Sequence, residues 1–169
     1  MCELFERTLD GIALSDSDNW SKDGKIFFFI ENAILERSEK EGTSLMKSLL
    51  DWYFSTSTPV QRMSILRMFA KLTKVRAFKK FIRDTGRINS FVSDLGLSRS
   101  YDSAGLSVEI LFNLQPFLSL KNVQEILDYA VSNDQVGYSN NAHHYLEKIF
   151  NSTNGLDDEK LDKYKKGWT

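Results

Sequence analysis

TPVQRMSILRMFAKLTKVRAFKKFIRDTG, from Thr58 to Gly86, is the stretch that decides the fold class. It begins with a threonine that can cap a helix, followed by proline at the first helical position and glutamine at the third. Its apolar residues recur at intervals of three and four, and its last glycine can adopt the left-handed conformation that ends a helix. The spacing predicts one helix from Pro59 to about Lys74 and a second from Val75 to Thr85.

Helical spacing of apolar residues continues along nearly the whole chain, whereas the strict alternation typical of strands is almost absent. Because the links between the predicted segments are short, consecutive helices should pack as antiparallel neighbours. We therefore predict an all-α protein, an irregular stack of about eight helices in antiparallel hairpins, with a closed helical bundle as the alternative. Further helices are predicted over 25–39, 44–54, 88–95, 104–115, 120–131, 140–150 and 157–166. Gly96 should end the segment 88–95, and Asp102 or Ser103 should cap the helix over 104–115. Ser119 and Ser139 should cap the helices that begin at 120 and 140.

The size and composition favour one soluble globular domain. A chain of 169 residues with 41% hydrophobic residues can bury a sizeable core, so we predict a single domain over 1–169, with a hinge at 97–103. The most apolar stretch, IFFFIENAIL, is too short and too interrupted to cross a bilayer. The acidic start MCELFERTLDG predicts no secretory signal.

Cysteine usage indicates the compartment. Cys2 is the single cysteine, which excludes an internal disulfide and a cysteine-rich zinc site. A reducing compartment, nuclear or cytoplasmic, fits best, and the nucleus is slightly favoured.

Positive charge is concentrated between Arg62 and Arg87, where nine lysines and arginines accompany one acid, Asp84. This segment therefore carries +8 by formal count, and the rest of the chain carries −9, because the total is −1. Helical spacing puts Arg67, Lys71 and Lys74 in one stripe, with Phe69 on the opposite, apolar side. The same spacing puts Arg76, Lys80, Arg83 and Arg87 in a second stripe, opposite the apolar Phe78 and Phe81. If the two helices form a hairpin, the two stripes merge into one patch. The residues that we predict to bind a partner are Arg67, Lys71, Lys74, Arg76, Lys79, Lys80, Arg83 and Arg87.

Two kinds of partner suit such a surface. The alternative to both is that the surface binds no partner and is a solvated face, balanced by acids from elsewhere in the fold. The first partner is an acidic protein or peptide segment, because arginine forms forked hydrogen bonds with carboxylates and lysine supplies a mobile charge. The second is DNA or RNA, bound through phosphates without base readout. The net charge of −1 favours the acidic segment, because −9 elsewhere opposes long-range attraction of a polyanion.

No catalytic, cofactor or metal site is predicted. His143 and His144 are adjacent, so on a helix they point about 100° apart and do not converge on one metal ion. Ser139 and Asp134 lie close by in sequence, but neither a nucleophile elbow nor a glycine-rich oxyanion turn accompanies them. The chain also lacks a phosphate-binding loop and a dinucleotide fingerprint. We therefore expect a protein that is not an enzyme and needs no cofactor; the sequence leaves the oligomeric state open.

Three kinds of helical protein have a similar pattern of apolar positions. The stretch LLDWYFSTSTPVQRMSILRMFAKLTKVRAFKKFIRDTGRINSFVSDLG resembles helical scaffolds of the armadillo and HEAT kind. Together with ILFNLQPFLSLKNVQEILDYAV, it also resembles the TFIIS N-terminal type of bundle and the helical region of polymerase-associated histone methyltransferases. The resemblance covers about residues 45–150 and includes no catalytic part. It implies an interaction module or scaffold in nuclear transcription or chromatin complexes.

Overall fold

The computed structural model describes residues 39–55, 59–98, 100–132 and 137–168, and all of its regular structure is helical. Within these ranges there are eight α-helices and no strand, which confirms the predicted all-α class. A short 3-10 turn, Gln115–Phe117, lies between the fifth and sixth helices. The helices are α1 Glu39–Ser55, α2 Pro59–Leu72, α3 Arg76–Asp84, α4 Ile88–Leu97, α5 Tyr101–Asn113, α6 Leu120–Ser132, α7 Asn140–Asn151 and α8 Asp158–Trp168.

The chain divides into two compact units, Met1–Leu72 and Thr73–Thr169. In the first unit, α1 packs against α2, and the ring of Tyr53 meets the ring of Phe69 edge to face at 5.4 Å. Both rings are almost fully buried, as the helical pattern of α2 predicts for Phe69. The predicted hinge at 97–103 lies inside the second unit, and a single domain over the whole chain stays a prediction.

Alternate helices pack together in the second unit. Helix α4 contacts α6, and α6 contacts α8, while α5 contacts α7 and α4. This alternation gives two rows of helices, as a stack of helical hairpins requires. The interior of the unit consists of aliphatic side chains that are withdrawn from solvent: Val92, Leu95, Val108, Leu111, Ile126, Leu127, Leu146 and Ile149.

Serine side chains cap three of the helices. Ser119 and Ser139 accept hydrogen bonds from the amides of Asn122 and Ala142, as their position before α6 and α7 predicts. The cap of α5 differs from the prediction, which placed it at Asp102 or Ser103. Ser100 is the cap, and Ser103 completes a reciprocal capping box by accepting from the Ser100 amide.

Gly96 does not end α4 as predicted, because the helix continues through it to Leu97. The glycine is explained by a neighbour: a methyl group at Gly96 would lie 2.5 Å from the ring of Tyr129 on α6. The Tyr129 hydroxyl donates a 2.8 Å hydrogen bond to Glu125, which holds the ring in place and raises the pKa of Tyr129. Gly96 therefore allows α4 and α6 to approach closely, and it does not form a turn.

Two further boundaries, at the end of α2 and the start of α1, also differ from the prediction. Helix α2 ends at Leu72, before Lys74, and α1 begins at Glu39, before Ser44. The predicted helix over 25–39 lies, apart from its last residue, outside the described residues. Among the helices that the structure describes, none is both long and apolar enough to cross a membrane.

Candidate functional site

Helix α3 carries the basic surface and is defined sharply at its carboxyl end. Gly86 has a φ of +70°, its amide donates to the carbonyl of Arg83, and the Arg87 amide donates to the carbonyl of Ile82. These two bonds form a Schellman motif, which ends the helix where the sequence predicts. The Thr85 hydroxyl donates to the carbonyl of Phe81 and also to that of Ile82. The end of α3 is therefore fixed by the backbone and by one hydroxyl.

The two sides of α3 differ in chemistry. Phe78 and Ile82 are almost fully buried, while Phe81, also predicted to be a core residue, is only partly buried. The basic residues of α3 and of the turn after it are exposed or half-buried, and we call them the basic face: Arg76, Lys79, Lys80, Arg83 and Arg87.

Some of the cations are already engaged within the second unit. Lys74, just before α3, forms a 3.2 Å salt bridge with Glu109 of α5. Arg83 pairs with Asp84 at 2.8 Å, and its guanidinium lies 5.0 Å from the ring centre of Phe117. These contacts join α3 to α5 and to the 3-10 turn. Sequence reasoning missed both partners, because Glu109 and Phe117 lie more than thirty residues from the cations they meet.

Three cations of the basic face lack an internal counter-ion among the described residues. Arg76, Lys79 and Lys80 form no ion pair with any carboxylate in the ranges that the structure covers. Arg76 and Lys80 are exposed, and Lys79 is half-buried. Within the described part of the chain, these three side chains are therefore not neutralised by a carboxylate.

The remaining predicted residues belong to the first unit. Arg67 and Lys71 lie one turn apart on α2, and both are exposed, as the spacing predicts. The apolar side of α2 is buried at Ile65, Leu66, Phe69 and Leu72. That the stripes of α2 and α3 form one surface stays a prediction.

Charge within the second unit is unevenly distributed along the sequence. Thr73–Arg87 contains six cations and one acid, so it carries +5 by formal count. Residues 88–169 carry −4 by the same count, with seven cations and eleven acids. The basic face therefore belongs to a unit with almost no net charge, whose remaining residues are acidic on balance.

A cavity of about 770 Å³ forms a second feature of this unit, where the end of α6 meets α7 and α8. We call it the aromatic cavity, because the aromatic residues Tyr138, His143 and Tyr164 line it. Nδ1 of His143 lies 2.9 Å from the hydroxyl of Tyr164. Burial lowers the pKa of His143, while the charge of Glu147 opposes that shift. Burial, with the charge of Glu147, raises the pKa of Tyr164.

The side chains of the two adjacent histidines lie in different environments. His143 is half-buried in the wall of the aromatic cavity, whereas His144 is exposed. Ser139, considered as a nucleophile from sequence, is the cap of α7. No group of three or more metal-ligating side chains comes together within the described part of the chain.

Comparisons of this chain with family models, with curated proteins and with solved structures found no match. The functional argument therefore depends on the geometry and charge described above.

Proposed function

We propose that this protein is a non-enzymatic interaction domain that docks an acidic protein segment on the basic face of α3. The single observation that carries the proposal is that Arg76, Lys79 and Lys80 have no carboxylate partner among the described residues. In an isolated helix, like charges one turn apart cost a few tenths of a kcal/mol. An acidic partner would remove that repulsion and supply charge-assisted hydrogen bonds.

The arrangement of charges along α3 also supports an external partner. Arg76 is the first residue of the helix, where the helix dipole favours acids, and no acid lies in the first turn. Asp84 is the last residue, where the dipole favours cations. Both residues therefore oppose the dipole, so the stability of α3 alone does not explain their placement.

The finer proposal is that the partner belongs to a nuclear transcription or chromatin complex. It is supported by the resemblance of the apolar pattern to transcription-associated helical regions. A pull-down from nuclear extract tests it, comparing the natural chain with a variant in which Lys71, Lys74, Lys80 and Arg83 are replaced by glutamate. An unchanged list of captured proteins would contradict this part of the proposal.

A direct test uses fluorescence anisotropy with a labelled peptide of alternating glutamate and glycine. Charge reversal at Arg76, Lys80 and Arg83 should weaken binding by about tenfold or more, because three attractive pairs become repulsive. The matched control reverses Lys163, Lys165 and Lys166 of α8, which changes the net charge equally. This control should bind nearly as the natural chain does.

Two results would overturn the proposal. Equal weakening by both variants would indicate attraction to net charge alone and not to the basic face. Tighter binding of single-stranded DNA or RNA than of the peptide at about 150 mM salt would instead favour the nucleic-acid alternative. A salt series separates the two, since binding to many phosphates falls steeply with salt.

A further inference from the structure

The aromatic cavity has the size and chemistry of a small-ligand site. Its volume of about 770 Å³ lies in the range of about 300–1,000 Å³ that such sites occupy. Ala130 and Val131, at the end of α6, give it an apolar wall. Aromatic side chains form another part of the wall, and charged side chains of α8 surround it. None of these residues belongs to the basic face.

The three aromatic rings of the cavity form a connected series. The rings of Tyr138 and His143 lie 5.7 Å apart and nearly perpendicular, at 76°. The rings of His143 and Tyr164 are 5.8 Å apart and tilted by 36°. The hydrogen bond between Nδ1 of His143 and the Tyr164 hydroxyl fixes the middle ring to the third. A ligand therefore meets an aromatic wall whose parts hold each other in place.

The charge near these rings favours a cation over an anion. Glu159 and Asp162 line the cavity with Lys163 and Lys166, so the four charges of α8 cancel. Glu147, one turn after His143 on α7, adds a negative charge that acts on both His143 and Tyr164. Glu159, Asp162, Lys163 and Lys166 are all exposed, whereas Glu147 is half-buried, so Glu147 is the charge least screened by solvent. Burial lowers the pKa of His143, which disfavours a positive charge on its ring.

We infer that the aromatic cavity binds an alkylated ammonium group, held over the rings of Tyr138 and His143 and attracted by the nearby carboxylates. The faces of aromatic rings attract cations, and quaternary ammonium groups suit such sites because they are bulky and weakly hydrated. The group can belong to a small choline-like molecule or to a trimethylated lysine side chain. This site is independent of the docking of an acidic segment.

A titration with two isosteric probes tests the inference. Choline and 3,3-dimethylbutan-1-ol have the same shape, but only choline is charged. The ring protons of His143 and Tyr138 are followed by NMR during each titration. Choline should bind about three- to tenfold more tightly than the alcohol, because the shared shape leaves the charge as the only difference. A trimethyllysine amide, titrated in the same way, distinguishes a modified side chain from a small ligand by which probe binds more tightly.

A pair of variants locates the binding. Tyr138→Leu should weaken choline binding by about threefold or more, because one ring of the wall is lost. The control is Tyr101→Leu, which removes an exposed tyrosine that does not line the cavity and should leave choline binding unchanged.

Three outcomes would overturn the inference. These are equal affinity for choline and the alcohol, no shift of the His143 ring protons with any of the three probes, and equal weakening by the two variants. Because the probe comparison uses the natural chain, it decides the question even if Tyr138→Leu fails to fold.

Discussion

Helices α3 and α8 are both short and rich in lysine or arginine, yet they use their charges differently. In α8, Asp158 and Glu159 occupy the first turn, and Lys165 and Lys166 the last, as the helix dipole favours. In α3 the first residue is Arg76 and the last is Asp84, which is the opposite order, although Arg83 in the last turn is placed as the dipole favours. The comparison separates charges that stabilise a helix from charges that do not.

The contacts of the two helices differ in the same sense. Lys160 of α8 forms a 2.6 Å salt bridge with Asp128 of α6, and this bond raises the pKa of Lys160. The amide of Asp157, before α8, also donates to Gln124 of α6. On α3, in contrast, Arg76, Lys79 and Lys80 form no salt bridge with any of the described carboxylates. Lys160 fixes α8 to a neighbouring helix, whereas Arg76, Lys79 and Lys80 of α3 form no such bond within the described ranges.

The largest expected effect is a difference in the free energy of unfolding between substitutions on the buried and the exposed sides of α3. Ile82→Ala should lower the free energy of unfolding by about 2–5 kcal/mol, because Ile82 is fully buried and its removal leaves a cavity. Lys80→Ala, on the exposed side, should change it by less than about 0.5 kcal/mol. Urea denaturation measures both. A large loss of stability in the lysine variant would mean that the basic face supports the fold and would break the comparison.

The next effect concerns the contact between α4 and α6. Gly96→Ala should cost about 1–3 kcal/mol, because the added methyl group overlaps the Tyr129 ring. In the double variant with Tyr129→Ala, the added methyl should cost much less, since nothing then occupies its space. If the two substitutions are additive in thermal and urea unfolding, the close approach does not explain this glycine.

A smaller effect tests the dipole argument directly. Arg76→Glu should raise the free energy of unfolding by about 0.3–1 kcal/mol, because an acid suits the first turn of α3. Asp158→Lys in α8 should lower it by a similar amount, since it removes an acid that is already well placed. The arginine variant should also lose affinity for the acidic peptide, so stability and binding should move in opposite directions. Loss of stability in both variants would contradict the comparison.

The smallest expected effect lies in the titration of His143. Its pKa should lie below the ordinary value of about 6.5, since burial disfavours the charged ring. The unfolded chain then binds a proton at higher pH than the folded chain, so this histidine lowers stability as pH falls below about 6.5.

Glu147→Gln should lower the pKa of His143 further, because it removes a negative charge that opposes the shift. NMR titration of the ring protons measures both values, and the variant His144→Gln identifies which signals belong to His143. A pKa above the ordinary value in the natural chain would contradict the burial of this ring.

Local features of the fold were predictable because their causes lie within a few residues. Gly86 and the capping serines Ser119 and Ser139 act on neighbouring amides and carbonyls, so the sequence shows them directly. The sequence predicts a helix end at Gly96, whereas the structure explains this glycine by a ring on another helix, thirty-three residues away.

In the candidate site, too, local features are predictable from the sequence and contacts between distant residues are not. Helical spacing alone indicates which side of α3 is basic and which is apolar. It does not indicate that Glu109 pairs with Lys74, or that Phe117 lies under Arg83. The wall shared by His143 and Tyr164 was also missed, because the two residues lie twenty-one positions apart on different helices.

The most direct test of the central claim is a map of amide chemical shifts during titration with the acidic peptide. We predict that the largest changes fall on α3 and the turn after it, from Arg76 to Arg87, while the amides of α8 barely change. Changes centred on α8, or spread evenly over all lysine-bearing segments, would contradict the claim that the basic face of α3 is a docking surface.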